Sequence, residues 1–246
     1  MKENKYDDIN FFEKYSKMAR SIGGLNAAGE WHELKKLLPH LKDKRVLDLG
    51  CGFGWHCIYA ADQGARSVIG VDISEKMLAE ARKKTASTIV EYILKPIEEI
   101  DFPTDTFDVV ISSLAFHYIE SFDGIVDKVN TSLSAGGDFV FSVEHPVFTA
   151  EGRQDWFYDE DGNPLHFPVD NYYIEGMRKS NFLGEEVIKY HKTLTTYLNV
   201  LIKKGFEITG IVEPQPSSEM LNTIPGMKDE LRRPMMLLVS ARKSKN

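Results

Sequence analysis

The stretch Val46-Leu-Asp-Leu-Gly-Cys-Gly-Phe-Gly54 decides the fold of this chain. It begins as a short apolar run, which predicts a buried strand, and it continues as a D-x-G-x-G-x-G turn that leads into a helix. Each glycine lacks a Cβ, so a ligand can approach the backbone closely, and glycine also adopts the positive φ angles of tight turns. The stretch therefore predicts a strand-turn-helix unit that holds a ligand against its turn.

The spacing of the glycines separates the ligand classes that such a turn binds. A dinucleotide-binding G-x-G-x-x-G pattern needs a further glycine at position 55 or 57, and these positions hold Trp55 and Cys57. A phosphate-binding P-loop ends in Gly-Lys-Ser or Gly-Lys-Thr, and the stretch lacks that ending. Asp48 makes the turn acidic, which favours a cationic ligand over a phosphate.

Outward from this stretch, from about residue 44 to residue 143, apolar runs alternate with helix-type patterns. This alternation is typical of repeated βα units around a parallel sheet. We predict an α/β fold with a mostly parallel seven-stranded sheet, helices on both faces and an insertion after the fifth strand. Strands are expected at 45–49, 67–72, 89–94, 107–112, 138–143, 206–212 and 235–241, and helices at 74–82 and 121–133 and from Thr193 to Gly205.

The residue pattern changes after residue 143, where a segment rich in aromatic residues also contains several prolines and glycines, as loops do. Within it, Tyr172 to Arg178 and Glu185 to His191 are expected to pair as a hairpin. Residues 9–38 carry aromatic residues and leucines at helical spacing, which predicts two helices beside the sheet. We predict a single domain over 1–246, divided into N-terminal helices (1–43), a ligand-binding core (44–143), the insertion (144–192), and a C-terminal helix with the last two strands (193–246).

The composition and net charge of the chain exclude some classes of binding partner. Its 246 residues carry a formal net charge of −7, which opposes binding to a nucleic acid because phosphate backbones need clustered Lys and Arg. The N-terminal residues are too polar for a signal peptide, and no apolar run reaches the roughly 20 residues that span a bilayer. Cys51 and Cys57 have neither zinc-ligand nor CxxC spacing, so both are expected to be free thiols. We expect a cytoplasmic monomer or homodimer without a metal, with neither a nucleic-acid nor a membrane partner.

Several of these features together resemble the class I S-adenosylmethionine-dependent methyltransferases, which have a Rossmann-like three-layer sandwich fold. The glycine turn closely resembles motif I of that family, residues 107–118 are similar to its fourth strand and following loop, and residues 133–141 to the turn into its fifth strand. Asp72 ends the second predicted strand, where a carboxylate can accept both hydroxyls of a ribose. The resemblance covers roughly residues 44–143 and implies S-adenosylmethionine as the methyl donor.

The resemblance also implies which residues hold the donor. Asp48 helps to orient the ammonium group, and the glycine turn wraps the methionine part. Many members carry an aspartate after the third strand that contacts the adenine amino group, whereas this chain has Pro96 there, which leaves the backbone N–H of Ile97 for that contact. Tyr15 and Arg20, on the predicted N-terminal helices, are expected to close over the donor's carboxylate, as N-terminal helices do in similar enzymes. The donor-binding candidates are Asp48, Gly50, Cys51, Gly52, Gly54, Asp72, Ile73, Met77, Ile97, Ser113, Arg20 and Tyr15.

The methyl acceptor is expected at the carboxyl ends of the strands, where parallel sheets bind their ligands. His117 follows the fourth predicted strand, Glu144 and His145 follow the fifth, and His191 lies where the insertion returns to the sheet. Methyl transfer is an in-line displacement that mainly needs positioning, with a base only where the acceptor has a proton to lose. These four residues are the catalytic candidates, and the aromatic insertion is expected to cover a small-molecule acceptor.

Three other functions are possible for a chain with this strand-turn-helix unit. A nicotinamide oxidoreductase shares the strand-turn-helix unit but fails the glycine spacing, and the sequence has no Tyr-x-x-x-Lys pair of the short-chain dehydrogenases. A non-catalytic module would keep the donor-binding residues 48–72 and lack an enclosed acceptor pocket. A protein methyltransferase is compatible with every feature of the sequence. An enclosed acceptor pocket would favour the small-molecule enzyme.

Overall fold

The computed structural model describes residues 4–245, and its strands lie close to where the sequence predicts them. Besides the seven strands expected for the sheet, the insertion contains four strands, two of which form the hairpin that was expected. In chain order the strands are β1 (Arg45–Leu49), β2 (Ser67–Asp72), β3 (Val90–Leu94), β4 (Phe107–Ser113), β5 (Leu133–Glu144), β6 (Phe157–Tyr158), β7 (Pro164–His166), β8 (Gly176–Phe182), β9 (Glu185–His191), β10 (Phe206–Val212) and β11 (Met236–Lys243).

Seven of these strands form one sheet, in the order β3-β2-β1-β4-β5-β11-β10. Strands β1 to β5 are parallel to their neighbours, and β11 runs antiparallel to both β5 and β10. The prediction of a mostly parallel seven-stranded α/β sheet with an insertion after the fifth strand is confirmed. The insertion contributes two separate hairpins, β6–β7 and β8–β9.

Helices lie in the N-terminal segment and in the connections between strands. The 3-10 turns at Gly24–Ala27, Ile97–Glu99 and Phe116–Tyr118 also line or support the strand ends. In chain order the α-helices are α1 (Ile9–Ser16), α2 (Ala19–Gly23), α3 (Trp31–Leu37), α4 (Trp55–Asp62), α5 (Glu75–Lys84), α6 (Phe122–Ser132), α7 (Pro146–Thr149), α8 (Leu194–Lys203) and α9 (Ser218–Thr223).

Helices cover both faces of the sheet, because successive side chains of a strand point to opposite faces. In β4, Val110 packs in a core with α6 and α8, whereas Val109 and Ile111 pack in a second core with α4 and α5. Two of the predicted helix starts are also present. Ser74 Oγ accepts a hydrogen bond from the backbone N–H of Met77, and Thr193 Oγ1 accepts one from Thr196.

Two local predictions were wrong. The N-terminal segment forms three α-helices and a 3-10 turn where two helices were expected, because the chain is extended at Met18 and Gly24 adopts a φ of 61°. The hairpin has its turn at Leu183 and Gly184, so β8 begins at Gly176 and not at Tyr172. Both turn residues have positive φ, 56° and 79°, and leucine rarely adopts that conformation, so the sequence did not indicate this turn.

Residues 179–182, which were predicted to form the turn, belong to strand β8. The register of β8 and β9 then pairs Gly176 with His191 and Phe182 with Glu185. Alternate residues of β9, namely Val187, Lys189 and His191, are buried. The inner face of this hairpin therefore presents Lys189 toward the ends of the sheet strands.

Within residues 4–245, no helix is long and apolar enough to cross a membrane.

Candidate active site

A cavity of about 700 Å³, partly open to solvent, lies at the carboxyl ends of the parallel strands. The ends of β1, β2, β4 and β5 form its floor, and the N-terminal segment and the β8–β9 hairpin close it from the other side. The polar and aromatic residues of its lining include Tyr6, Tyr15, Arg20, Asp72, Ser113, His117, Tyr118, Glu144, Gln154, Phe182, Lys189 and Tyr190.

The glycine turn borders this cavity at Gly50 and Gly52, and only Gly52 leaves open space at its Cα. Gly50, Gly52 and Gly54 all have positive φ angles, 74°, 53° and 74°. A Cβ on Gly50 would lie 2.5 Å from the Cβ of Ala115, and one on Gly54 would lie 2.1 Å from the Tyr92 hydroxyl, so these two glycines permit packing. A Cβ on Gly52 would meet nothing within 4 Å. Gly52 therefore leaves space for a ligand at the backbone.

Asp72 lies beside Gly52 at the end of β2 and lines the same cavity. Its Oδ2 accepts a hydrogen bond of 2.8 Å from the backbone N–H of Gly52, and its Oδ1 accepts one of 2.9 Å from Ser74. Burial raises the pKa of Asp72, and the two backbone donors oppose that effect. Each carboxylate oxygen keeps further lone pairs, so Asp72 can accept the two hydroxyls of a ribose.

Near the turn, a smaller cavity of about 60 Å³ brings together Arg20, Gly52 and Ser113, with Tyr15 and Cys51 on its wall. Arg20 Nη2 lies 2.9 Å from Oε1 of the buried Glu30, which also accepts a hydrogen bond of 3.1 Å from the Ser113 hydroxyl. The side chains that close this corner thus come from the N-terminal helices and from β4.

Two buried carboxylate oxygens near this corner, Glu30 Oε2 and Asp48 Oδ1, have no hydrogen-bond partner within residues 4–245. Asp48 Oδ2 accepts a hydrogen bond of 3.3 Å from the Cys57 thiol, and burial raises the pKa of Asp48 to about 7. Unpaired buried carboxylate oxygens require a donor. Carboxylates of this kind, beside the Arg20 guanidinium, fit the ammonium and carboxylate of an amino acid.

Apolar residues line the cavity beyond Asp72. Ile73, Met77 and Ile97 lie there together with Pro96, and the backbone carbonyl of Ile73 accepts a hydrogen bond of 3.2 Å from the side chain of Asn4. This surface is suited to a flat, partly apolar ring. The donor-binding candidates Asp48 and Gly54 are absent from the cavity linings within residues 4–245, whereas the other ten contribute to one or both cavities.

A buried polar cluster of Glu144, Gln154 and Lys189 forms the opposite wall of the large cavity. Lys189 is 2% exposed, and its Nζ lies 2.6 Å from Glu144 Oε1 and 2.7 Å from Gln154 Oε1. The Gln154 amide closes the ring by donating to Glu144 Oε2 at 2.6 Å. Burial would raise the pKa of Glu144, but neighbouring positive charge, notably the Lys189 ammonium, holds it below its usual range. Glu144 is therefore an ionised, fully engaged carboxylate.

His117 lies between this cluster and the sheet and is 3% exposed. Its Nδ1 accepts a hydrogen bond of 3.4 Å from the backbone N–H of Glu144, which places the ring proton on Nε2. Burial lowers the pKa of His117 to about 4, so the ring is neutral at physiological pH. No hydrogen bond to Nε2 is made by residues 4–245, and the side chain lines the cavity. Its N–H is available to a bound ligand.

The other two catalytic candidates are not among the residues that line the cavity within the described chain. His145 caps α7, accepting a hydrogen bond of 3.0 Å from the N–H of Val147, and its Nε2 lies 2.8 Å from a Glu213 carboxylate oxygen. His191 Nδ1 lies 2.7 Å from the Thr149 hydroxyl, and its Nε2 lies 2.8 Å from the carbonyl of Tyr172. Both imidazoles already have protein partners.

Several cavity residues were not anticipated from the sequence. They are Tyr6, whose hydroxyl lies 3.2 Å from that of Tyr118, and Gln154 and Lys189 of the buried polar cluster. Tyr118 itself was expected at the strand ends, because it follows the fourth predicted strand beside His117. The alternation of β9 was a usable signal for Lys189, because it shares a face with the apolar Val187. For Tyr6 and Gln154 the sequence offers no signal. Among residues 4–245, no group of three or more His, Cys, Asp or Glu is arranged to hold a metal.

Comparisons with known proteins agree with this geometry. Residues 47–141 match a family described as a methyltransferase domain. A proposed S-adenosylmethionine dependent methyltransferase from Listeria monocytogenes is 61% identical with a TM-score of 0.86, covering 90% of this chain and 99% of that one. An S-adenosylmethionine dependent methyltransferase from Mesorhizobium loti is 44% identical with a TM-score of 0.83, covering 89% of this chain and all of that one.

Relatives found by sequence differ in how much of their length is shared. An uncharacterized protein of Haemophilus influenzae is 38% identical over 97% of this chain and 96% of its own length. A tRNA U34 carboxymethyltransferase of Hahella chejuensis is 36% identical over 52% of this chain and 44% of its own length. This chain therefore matches less than half of that second relative.

Proposed function

Because this chain belongs to the class I S-adenosylmethionine-dependent methyltransferases, we propose that it methylates a small molecule held in the cavity between the strand ends and the β8–β9 hairpin. S-adenosylmethionine supplies an electrophilic methyl group carried on a sulfonium. The observation that carries the proposal is the cavity of about 700 Å³, which Gly52 and Asp72 border on one side and Glu144 and Lys189 on the other. Such a space suits a donor and a small acceptor side by side.

On the donor side we assign one set of residues to each part of S-adenosylmethionine. Asp72 accepts the ribose hydroxyls, which is supported by its place at the end of β2 and by its free lone pairs. Gly52 admits the amino-acid part of the donor along its backbone, and the buried carboxyl groups of Asp48 and Glu30, which lie behind the cavity linings, supply negative charge for the ammonium group. Arg20 pairs with the donor's carboxylate. Ile73, Met77 and Ile97 contact the adenine ring, and Ser113 supports the turn through Glu30.

On the acceptor side, His117 and the Glu144 cluster position the substrate. His117 is neutral and donates through Nε2, while both oxygens of Glu144 are already hydrogen-bonded. These two side chains hold the acceptor in line with the methyl group and do not remove a proton from it. His145 and His191 support the cavity wall through their protein contacts.

A small-molecule acceptor is favoured over a nucleic acid by the charge of the chain. The formal net charge is −7, whereas tRNA binding requires a surface rich in Lys and Arg. The cavity is also roofed by Tyr6 and Phe182, from the N-terminal segment and from β8, which leaves room for a small substrate beside the donor.

The test is a transfer assay with tritiated S-adenosylmethionine and a cell extract, which is separated into small molecules, RNA and protein after the unreacted donor has been removed. We expect label in the small-molecule fraction with the unmodified protein, none with Asp72→Ala, and full labelling with Asp138→Ala. Asp138 is a suitable control because it pairs with Arg242 at the opposite end of β5. Label confined to RNA or to protein, or no label in any fraction, would refute the small-molecule assignment.

A further inference from the structure

We propose that the reacting group of the acceptor is a carboxylate, held by the Nε2–H of His117 and the ammonium of Lys189, and that the product is a methyl ester. This inference rests on the proposed function and names the substrate class of the same site. It follows from which hydrogen-bonding groups remain free in the cavity and from which groups are already engaged.

Two buried donors beside the Glu144 carboxylate remain for a ligand. His117 Nε2–H has no protein partner in the part of the chain that the structure describes. The Lys189 ammonium has three N–H groups, and Glu144 and Gln154 accept two of them. The third is available to the cavity that Lys189 lines. An acceptor with an oxygen anion satisfies both donors, and hydrogen bonds to a charged oxygen are the stronger ones.

The cluster holds Lys189 in place. A side chain that is only 2% exposed needs polar partners for its ammonium group, and the nearest Glu144 carboxylate oxygen lies 2.6 Å from Lys189 Nζ. Gln154 bridges both partners, and it does so from a φ of 62°, a strained conformation for a residue with a side chain. Strain of this kind persists where the surrounding contacts enforce it and is often found at ligand sites. Glu144 neutralises Lys189 without using its third N–H group.

The same contacts leave the deep part of the cavity without a general base. The basic nitrogen of His117 is occupied by the backbone N–H of Glu144, and both Glu144 oxygens accept hydrogen bonds. Glu120 is exposed at the mouth, and Glu98 lies beside Pro96 on the donor side. An alcohol or a protonated amine must lose a proton on methylation, whereas a carboxylate, with an unperturbed pKa near 4, is already ionised.

The reaction balances without a further reactant. One carboxylate oxygen uses a lone pair to form the bond to the methyl carbon, the carbon–sulfur bond breaks, and its electron pair stays on sulfur as a thioether. A negative and a positive charge cancel, and no proton is released. Charge cancellation is favoured where water is excluded, and Phe148, Phe182 and Val187 make this part of the lining apolar.

The deciding experiment analyses the labelled small-molecule fraction by alkaline treatment. Methyl esters release tritiated methanol in mild alkali, whereas N-, C- and S-methyl groups and ethers are stable. We expect most of the label to become volatile. Stable label would overturn the carboxylate inference and leave the proposed function intact. Absence of label from the small-molecule fraction would instead defeat the proposed function itself, so the two failures are distinguishable.

Variants of Lys189 test its positioning role once the labelled acid has been purified. Lys189→Met should raise the KM for that acid about tenfold to hundredfold, the equivalent of one hydrogen bond to a charged group, while S-adenosylhomocysteine binds as before. Lys189→Arg should restore part of the loss. Lys179→Met is the matched control, because Lys179 lies exposed in β8 and pairs with Glu186. An unchanged KM in folded Lys189→Met would remove Lys189 from the acceptor site.

His117 offers an independent measurement if the Lys189 variants do not fold. His117→Phe removes the N–H donor and keeps a ring of similar shape, and we expect the KM for the acid to rise about tenfold or more. His117→Gln supplies a side-chain N–H and should recover part of that loss. His40, which is exposed, provides the control His40→Gln. Equal effects of Phe and Gln at position 117 would contradict a hydrogen-bonding role.

Discussion

The two walls of the cavity are built in different ways. The donor wall is mostly backbone and strand ends, namely the turn at 50–54 and Asp72, whose oxygens are fixed by the N–H groups of Gly52 and Ser74. The acceptor wall is mostly side chains from separate segments, and Lys189 reaches Glu144 across 45 positions of sequence. A wall fixed by backbone tolerates few substitutions, whereas a wall of side chains can be changed to suit another substrate. In the function proposed above, the donor wall therefore sets the reaction, and the acceptor wall sets the substrate.

The largest expected effect comes from closing the space at the donor turn. Gly52→Ala places a methyl group where the structure has nothing within 4 Å, and we expect S-adenosylhomocysteine binding to weaken at least a hundredfold in calorimetry. Gly162→Ala is a matched control, since Gly162 also has a positive φ, 82°, and open space around its Cα. Both substitutions should destabilise the fold by about 1–2 kcal/mol through left-handed strain. Equal donor affinity in the two variants would show that Gly52 is structural only.

The second effect concerns the ribose. Asp72→Ala removes an acceptor for two hydroxyls, each hydrogen bond to a charged group being worth roughly 1.5–3 kcal/mol, so S-adenosylhomocysteine affinity should fall at least tenfold. Asp72→Asn keeps one acceptor oxygen, so its affinity for S-adenosylhomocysteine should fall less than that of Asp72→Ala. Calorimetry measures both, with circular dichroism to check folding. An unchanged dissociation constant in folded Asp72→Ala would show that the strand end does not bind the ribose.

The difference between the two walls also explains why the sequence predicted the donor wall better than the acceptor wall. The donor wall is local in sequence, so the glycine turn and the end of β2 were visible as a motif and as a strand boundary. The acceptor wall depends on the register of the β8–β9 hairpin, and a turn at Leu183 with a φ of 56° set that register four residues away from the prediction. Contacts such as Tyr6 with Tyr118 join segments whose proximity only the folded chain creates.

A smaller effect on the donor side is a pH dependence of S-adenosylhomocysteine binding that arises from Asp48. Burial raises the pKa of Asp48 to about 7, so below that pH the carboxyl carries a proton. A bound ammonium favours the ionised form, so binding must release that proton, and affinity for S-adenosylhomocysteine should rise several-fold from pH 6 to pH 8. His56 does not interfere, because burial lowers its pKa to about 4 and it stays neutral.

Calorimetry in buffers of different ionisation enthalpy measures the proton release directly. With Asp48→Asn the proton release and the pH dependence between pH 6 and pH 8 should both disappear, and affinity should be lower at pH 8. Cys57, which donates to Asp48 Oδ2, keeps its thiol in this variant. A pH dependence that survives in Asp48→Asn would assign the proton to another group and leave Asp48 outside the ammonium site.

The smallest effect on catalysis is expected at His191, which the sequence placed among the catalytic candidates. Its two nitrogens bridge the Thr149 hydroxyl and the Tyr172 carbonyl, and it is fully buried, so it ties β9 to α7 and to the loop before β8. His191→Ala leaves both partners unsatisfied and should lower the free energy of unfolding by about 1–3 kcal/mol, a decrease in Tm of a few degrees for a chain of this size. Turnover at a temperature where the variant is folded should change less than twofold, as in the exposed control His166→Ala. If His191→Ala instead kept its Tm and lost turnover a hundredfold, His191 would act on the substrate, and the acceptor wall would extend beyond the cavity described above.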